Sequence, residues 1–386
     1  MKILIVTEYY RDRCFNGSEV FCSQLVNALK RDHEIDVLAR NLDEPAGARN
    51  RPTYVVPEGI LADAWQLPDF LAAQVPVARY DLVYNLGALI FGCNLVHTLL
   101  QCNPDLPVVN HFQALLGPYA REEGLGPPIQ LINGAGQKET ARRALLNIFV
   151  SQSELAMAQE AGFGLRDPVS AVIPNGLDFE ELDRIAEARA PESEKGTLTI
   201  LTAGRFSDYT KGADLIYRAF ASLRRADPNV FLLSIANSDR FSYLLRELPE
   251  TSFRISDWLP RQEFLGALAA ADLVVLPSRY EPFGLIAVEA LAMGVPVLAN
   301  CVGGLSEIVH HGVSGALSPA ADGSLGLLLN LRSLIRDRGR LRRMGAAGAA
   351  FVRQEYNMDR ISCLVDKAIR RSLIGHESPA AVVAGA

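Results

Sequence analysis

The chain has 386 residues, 49% hydrophobic and 21% charged, which suits two domains with sizeable cores and argues against wholesale disorder. A net charge of -6 excludes the basic footprint of a nucleic-acid-binding protein. The balance is uneven: residues 1–180 hold 14 Lys and Arg against 21 Asp and Glu, the remainder 24 against 23, so an anionic membrane surface would repel the N-terminal half.

Six cysteines (Cys14, Cys22, Cys93, Cys102, Cys301, Cys363) form no CxxC pair and have no His at zinc-like spacing; most fall in apolar stretches, where they read as small buried hydrophobes. The opening MKILIV is too short for a signal-peptide core. The most apolar long run, residues 88–102, carries Asn94 and His97 and is shorter than the ~20 residues of a membrane span. The expectation is a reduced, cytoplasmic protein without an integral membrane segment.

In chain order, KILIV (2–6) predicts a strand, and SEVFCSQLVNALK (18–30) a helix with Ser18 as N-cap and Val20, Phe21, Leu25 and Leu29 on one face. Further β-rich runs follow at 34–40, 54–57, 81–87, 107–112, 147–152 and 170–176. Strands alternating with helical stretches predict βαβ units and a doubly wound parallel sheet. The charged stretch 176–196, with Pro191, predicts a short helix and a linker. The pattern then restarts: strands at 198–204, 230–236, 253–259, 272–278 and 295–301, helices at 212–226, 261–271 and 284–293. The predicted domains are 1–178, a linker 179–196, a second domain 197–356, and a C-terminal helical segment 357–386. Sheets of this kind bind ligands at the carboxyl ends of their strands.

The densest chemistry lies in PSRYEPFGLIAVEALAMGVPVLA (277–299). A strand ends at Pro277, a loop carries Glu281, and a helix opens near Gly284. Free amides at Phe283, Gly284 and Leu285 would face an anion or a sugar hydroxyl, aided by the helix dipole, and Gly284 admits close approach. Glu281 and Glu289 bracket the helix start and accept hydroxyl hydrogen bonds. The plainer reading is a loop charge and a paired helix charge, but an unpaired carboxylate in the apolar GLIAVEALAMG is costly to bury. In TAGRFSDYTKGADLIYRAF (202–220), a strand runs into Gly204 and Arg205, and Lys211 precedes a helix. These two cations are candidates for a diphosphate, although alone such a pair reads as a solvated surface feature.

These stretches resemble the EPFGL…E and GR…KG elements of the retaining glycosyltransferases with two Rossmann-like domains (GT-B architecture), glycosyl transferases group 1, family 4. Lys211 follows Arg205 by six positions where the family's element has about five. The resemblance implies that Glu281 faces the donor sugar, Glu289 binds the ribose, and the 283–285 amides contact sugar and phosphates. VGGLSEIVHHGVSGAL (302–317) resembles the family's GG-x-x-E element, with Gly303 and Gly304 opening a turn and helix beside the nucleotide. Glu307 reads as structural, and His310 and His311, if helical, diverge by ~100° and make a poor metal site. NGSEVF (16–21) resembles the GGAE-type turn, with Gly17 and Glu19 matching and Asn16 in place of Gly. His111, ending PVVNHF, matches the family's strand-end His near the reacting sugar. FVSQSE (149–154) and VIPNGLD (172–178) resemble the last two N-domain strands, and the C-terminal helix commonly crosses back to the first domain.

The resemblance implies transfer of a hexose-type sugar from a nucleoside-diphosphate sugar, UDP- or GDP-linked, to a hydroxyl acceptor with retention of configuration. In that reading Arg205, Lys211, Glu281 and His111 carry the chemistry. No DxD stands at a strand end, so no metal or other cofactor is expected to be obligatory. Acceptor selection is expected from residues 7–18 and 85–145, with Tyr9, Tyr10, Arg11 and Arg13 as a candidate lip against the plainer reading of solvated loop residues. The acidic half favours a soluble glycan or small-molecule acceptor over a membrane lipid, and peripheral membrane association is not favoured. A phosphorylase or nucleotide-sugar epimerase on the same scaffold, or an inactive transferase-like partner subunit, are the alternatives.

Overall fold

The computed structural model describes every residue except 9, 11–16, 41–49, 51, 62–65, 88–89, 125–126, 166–169, 188–195, 237–239 and 375–386. The chain divides into two compact units, Met1–Leu177 with Met358–Ala386, and Asp178–Asn357.

The first unit holds seven strands: β1 (Lys2–Thr7), β2 (Glu34–Arg40), β3 (Tyr54–Val56), β4 (Leu82–Gly87), β5 (Val108–Phe112), β6 (Leu146–Phe149) and β7 (Ser170–Val172), ordered β3-β2-β1-β4-β5-β6-β7. All neighbours run parallel. Successive β1 side chains serve opposite faces. Ile3 and Ile5 join the core with Phe21, Leu25 and Val26, while Leu4 and Val6 join the one with Leu95, Val96 and Leu99. Burial on both faces explains the continuous apolar runs. Three buried asparagines interrupt them in register, Asn85 opposite Asn110 and Asn110 opposite Asn147. Asn85 donates to Asn110 (2.9 Å), Asn110 to Asn147 (3.1 Å) and Asn147 to the Ala141 carbonyl (2.9 Å), a ladder that offsets much of their desolvation.

The second unit holds β8 (Leu198–Gly204), β9 (Val230–Ala236), β10 (Phe253–Ser256), β11 (Leu273–Leu276), β12 (Val297–Asn300) and β13 (Gly315–Ser318), ordered β10-β9-β8-β11-β12-β13 and parallel throughout. Ile200, Leu232, Val275 and Leu298 pack with Ile216, Tyr217 and Phe220 of the helix Ala213–Ala226. The strand order reverses between β8 and β11, so their carboxyl ends flank a switch point, where open sheets of this kind take ligands.

Several boundaries differ from the sequence reading. Ser18 lies inside the helix Gly17–Leu29 and not at its cap. The sixth strand stops at Phe149, because Ser151 caps the helix Gln152–Glu160 by accepting from the Glu154 amide. β10 ends at Ser256, leaving Trp258 in a loop, where it stacks on Phe264. The expected linker 179–196 opens with the helix Glu180–Glu187, which belongs to the second unit. The apolar run at 88–102 forms the helix Ile90–Cys102 inside the first unit. Among the described residues no helix is long and apolar enough to cross a membrane.

Candidate active site

β8 and β11 deliver the elements of the second unit's site. Beyond β8, Gly204 leads to Arg205, and a 3-10 turn Tyr209–Lys211 precedes the helix Ala213–Ala226. A Cβ at Gly204 would stand 3.1 Å from the Phe206 ring and 3.7 Å from Lys211 Cβ, which shows how closely strand end and turn approach. Beyond β11 the chain runs through Pro277 to Glu281, pinned by Asn300, whose side-chain amide donates to the Pro277 (2.9 Å) and Ser278 (3.1 Å) carbonyls.

Lys211 Nζ donates to Glu281 Oε2 at 2.9 Å, and Ser278 Oγ donates to the same oxygen at 3.0 Å. A lysine and a carboxylate 70 residues apart are therefore neighbours. Next to them Gly284, at φ 105°, caps the helix Leu285–Ala292. Among the described residues no backbone carbonyl accepts from the amides of Phe283, Gly284 or Leu285, so they are available to an anion at the positive end of the helix. Gly303 and Gly304 brace this loop. A Cβ at Gly303 would lie 1.9 Å from the Glu281 carbonyl oxygen, one at Gly304 2.4 Å from that of Phe283, and Gly304 N donates to the Glu281 carbonyl at 3.0 Å.

Glu289, expected to meet a ribose, is 2% exposed and ion-paired with Arg261 Nη1. Arg261 Nε reaches Glu181 at 3.4 Å. Burial raises the Glu289 carboxyl above its ordinary value, and Arg261 works in the opposite direction. The sequence reading missed Arg261: nothing at residue 261 announces a partner 28 positions on. Arg205 is 57% exposed on its side chain and turns to Asp208 of its own loop at 3.3 Å, while Lys211 pairs with Glu281, so the structure does not bring the two cations together in a mutual network.

In the first unit His111 is the last residue but one of β5, fully buried. Its Nδ1 lies 2.8 Å from the Tyr84 hydroxyl, and Phe21 meets the ring edge-on. Burial pushes the imidazole pKa down to about 3, with the Ile173 carbonyl acting the other way, so the ring is neutral at ordinary pH. Gly17 begins its helix. Tyr9, Arg11, Arg13 and Asn16 lie outside the described residues. Tyr10 is corrected from lip to core: it is 1% exposed, donates to Asn27 (2.9 Å) and accepts from Lys30 (2.9 Å). His310 and His311 follow the helix Leu305–Ile308 rather than sit on it. His310 packs on Phe351, and His311 Nδ1 accepts from the Leu317 amide. Among the described residues no group of three His, Cys, Asp or Glu is placed to hold a metal.

Two Rossmann-like parallel-sheet units in one chain make the GT-B architecture. Residues 183–351 match the family described as Glycosyl transferases group 1, and residues 15–181 match Glycosyltransferase Family 4. The chain is 31% identical over 340 residues to the D-inositol 3-phosphate glycosyltransferase of Nocardia farcinica, covering 81% of this chain and 71% of that one. It is 30% identical over 212 residues to a Mycobacterium tuberculosis glycogen synthase, where the match covers 54% of this chain and only half (50%) of that protein. The Anabaena HepE structure in complex with UDP and glucose superposes with a TM-score of 0.76 at 22% identity, covering 96% of this chain and 100% of that one. The chain belongs to the glycosyl transferases group 1 family.

Proposed function

We propose that the chain transfers a hexose-type sugar from a nucleoside-diphosphate sugar to a hydroxyl of a glycan or small molecule, with retention at the anomeric carbon. The observation that carries the reading is the pairing of Lys211 with Glu281 beside the open amides of 283–285. A departing diphosphate gains negative charge, so a fixed ammonium, an amide-lined helix start and Arg205 stabilise the transition state more than the ground state. Glu281 holds the donor sugar and Glu289 the ribose, and His111 on the first unit's β5 is the further catalytic candidate. The HepE structure is a complex with UDP and glucose, which supports a UDP-linked donor over a GDP-linked one. The reading needs no metal and places the reaction in the cytoplasm.

The test screens UDP, GDP and ADP by thermal shift, then follows nucleoside-diphosphate release from the matching sugars with candidate hydroxyl acceptors. Release that requires acceptor, and a product whose anomeric proton keeps the donor's configuration, supports the proposal. Release without acceptor, or a rearranged donor sugar, supports the epimerase alternative and overturns it.

A further inference from the structure

Arg279, which the sequence reading passed over inside PSRYEPFG, stands two residues before Glu281 on the segment leaving β11. Its side chain is mostly buried and forms a fork on Asp214: Nη1 to Oδ1 and Nη2 to Oδ2, both at 2.8 Å. Nη1 also donates to the Tyr209 carbonyl at 3.0 Å, and the guanidinium carbon stands 3.8 Å from the centroid of the Tyr209 ring. The backbone joins in, since the Arg279 amide donates to the Thr210 carbonyl at 2.7 Å. One residue thus grips the Tyr209–Lys211 turn by its ring, by two carbonyls, and through Asp214 by the helix that follows. The turn fits closely against the same segment: Gly212 adopts φ 67°, and a Cβ there would lie 2.1 Å from the Pro277 carbonyl oxygen.

The physical need is plain. A lysine ammonium is a compact charge on a flexible stem with rotamer entropy to lose. It stabilises a developing charge only where its backbone is already in place. The Lys211 backbone lies between Thr210 and Gly212, both held against the 277–280 segment. Asp214, in the first turn of its helix, gains from the helix dipole as well as from Arg279. A bidentate, ring-stacked and mostly buried pair differs from exposed ion pairs, which contribute little.

We infer that Arg279 and Asp214 are positioning residues: their fork fixes the Tyr209–Lys211 turn so that Lys211 stands beside Glu281 and meets a diphosphate. This rests on the donor reading above.

The test is a double-mutant cycle read by calorimetric titration with UDP and, in parallel, with uridine (GDP and guanosine if the screen selects them). Arg279→Lys keeps the charge and loses the fork. It is expected to weaken diphosphate binding about tenfold, the size of one misplaced charge-assisted contact, and to leave uridine binding unchanged. In a Lys211→Ala background the Arg279→Lys loss should vanish, because there is no ammonium left to position. Asp214→Asn repeats the cycle from the other partner should Arg279→Lys fold poorly. Additive losses, equal losses for uridine and UDP, or no loss overturn the positioning role while leaving the donor site standing. UDP affinity indifferent to Lys211→Ala, or a wild type that binds no nucleoside diphosphate, overturns the donor reading itself and the positioning role with it.

Discussion

Glu289 is a carboxylate inside an apolar helix, and Arg261 is what makes it tolerable there. Replacing Arg261 with Met removes the partner and leaves a buried charge, a change that typically destabilises by about 3–5 kcal/mol. Urea unfolding should show that loss for Arg261→Met. Glu289→Gln, which leaves a neutral amide beside the arginine, should lose less stability and more nucleoside-diphosphate affinity. Equal stability losses in the two variants would contradict the assignment of Arg261 as the charge partner. His111 makes a second residue-scale prediction, this one on pH. Its folded pKa of about 3 lies below the ordinary imidazole value of 6.5, so between those values the unfolded chain binds the extra proton and stability falls as pH falls. Its component approaches ~1.4 kcal/mol per pH unit within that window and is absent above it. His111→Gln should flatten that part of the stability–pH curve between pH 6 and 4; an unchanged slope would mean that the ring titrates normally. Tyr84 bears on the same ring. A ring whose Nδ1 accepts from the buried Tyr84 hydroxyl carries its hydrogen on Nε2. His111 is then a hydrogen-bond donor rather than a base, and turnover of the wild type should be flat between pH 6 and 8.

At the scale of elements, the loop 281–284 and the turn 303–304 form a single surface with no room for a side chain between them. Gly303→Ala would drive a Cβ into the Glu281 carbonyl, 1.9 Å away, at a backbone φ of 48° that already strains an L-residue. The expected result is loss of nucleoside-diphosphate binding with the second unit still folded, measured by titration and circular dichroism. Undiminished binding would show that the loop is free to move aside. This also marks how far the chain was legible. Strand and helix identities followed from periodicity, because both sheets are buried on two faces and the runs leave little choice. The helix starts at Gly212 and Gly284 were visible from a glycine just after Lys211 and one two residues after Pro282. What could not be read was any pairing closed by tertiary structure: Arg261 with Glu289, Arg279 with Asp214, Tyr84 with His111. Each joins residues 27 or more positions apart, and none leaves a local pattern. Tyr10 shows the converse error, since an aromatic in a polar, turn-rich stretch was placed at the surface when the fold buries it against Asn27 and Lys30.

For the whole molecule, the chain's last described helix ties sequence ends to one core. Met358, Ile361, Val365, Ala368 and Ile369 of the helix Met358–Ile374 are buried with Ile3, Ile5, Phe21 and Leu25, and Asp366 holds His33 at 2.8 Å. The first unit is thus built from both ends of the chain, with the second unit's residues inserted between. A core truncation such as Ile361→Ala should cost about 2–5 kcal/mol and should fall on the first unit, although residue 361 follows the whole second unit in sequence. Phe220→Ala, in the other core, should fall on the second. Calorimetry with and without a nucleoside diphosphate separates the two, because ligand raises the stability only of what binds it. The ligand should raise the transition that Phe220→Ala lowers and leave the one lowered by Ile361→Ala in place. A ligand that lifted both transitions equally would mean that the two units unfold as one cooperative body, and the assignment of the donor site to the second unit would then have to rest on the Lys211 and Glu289 variants alone.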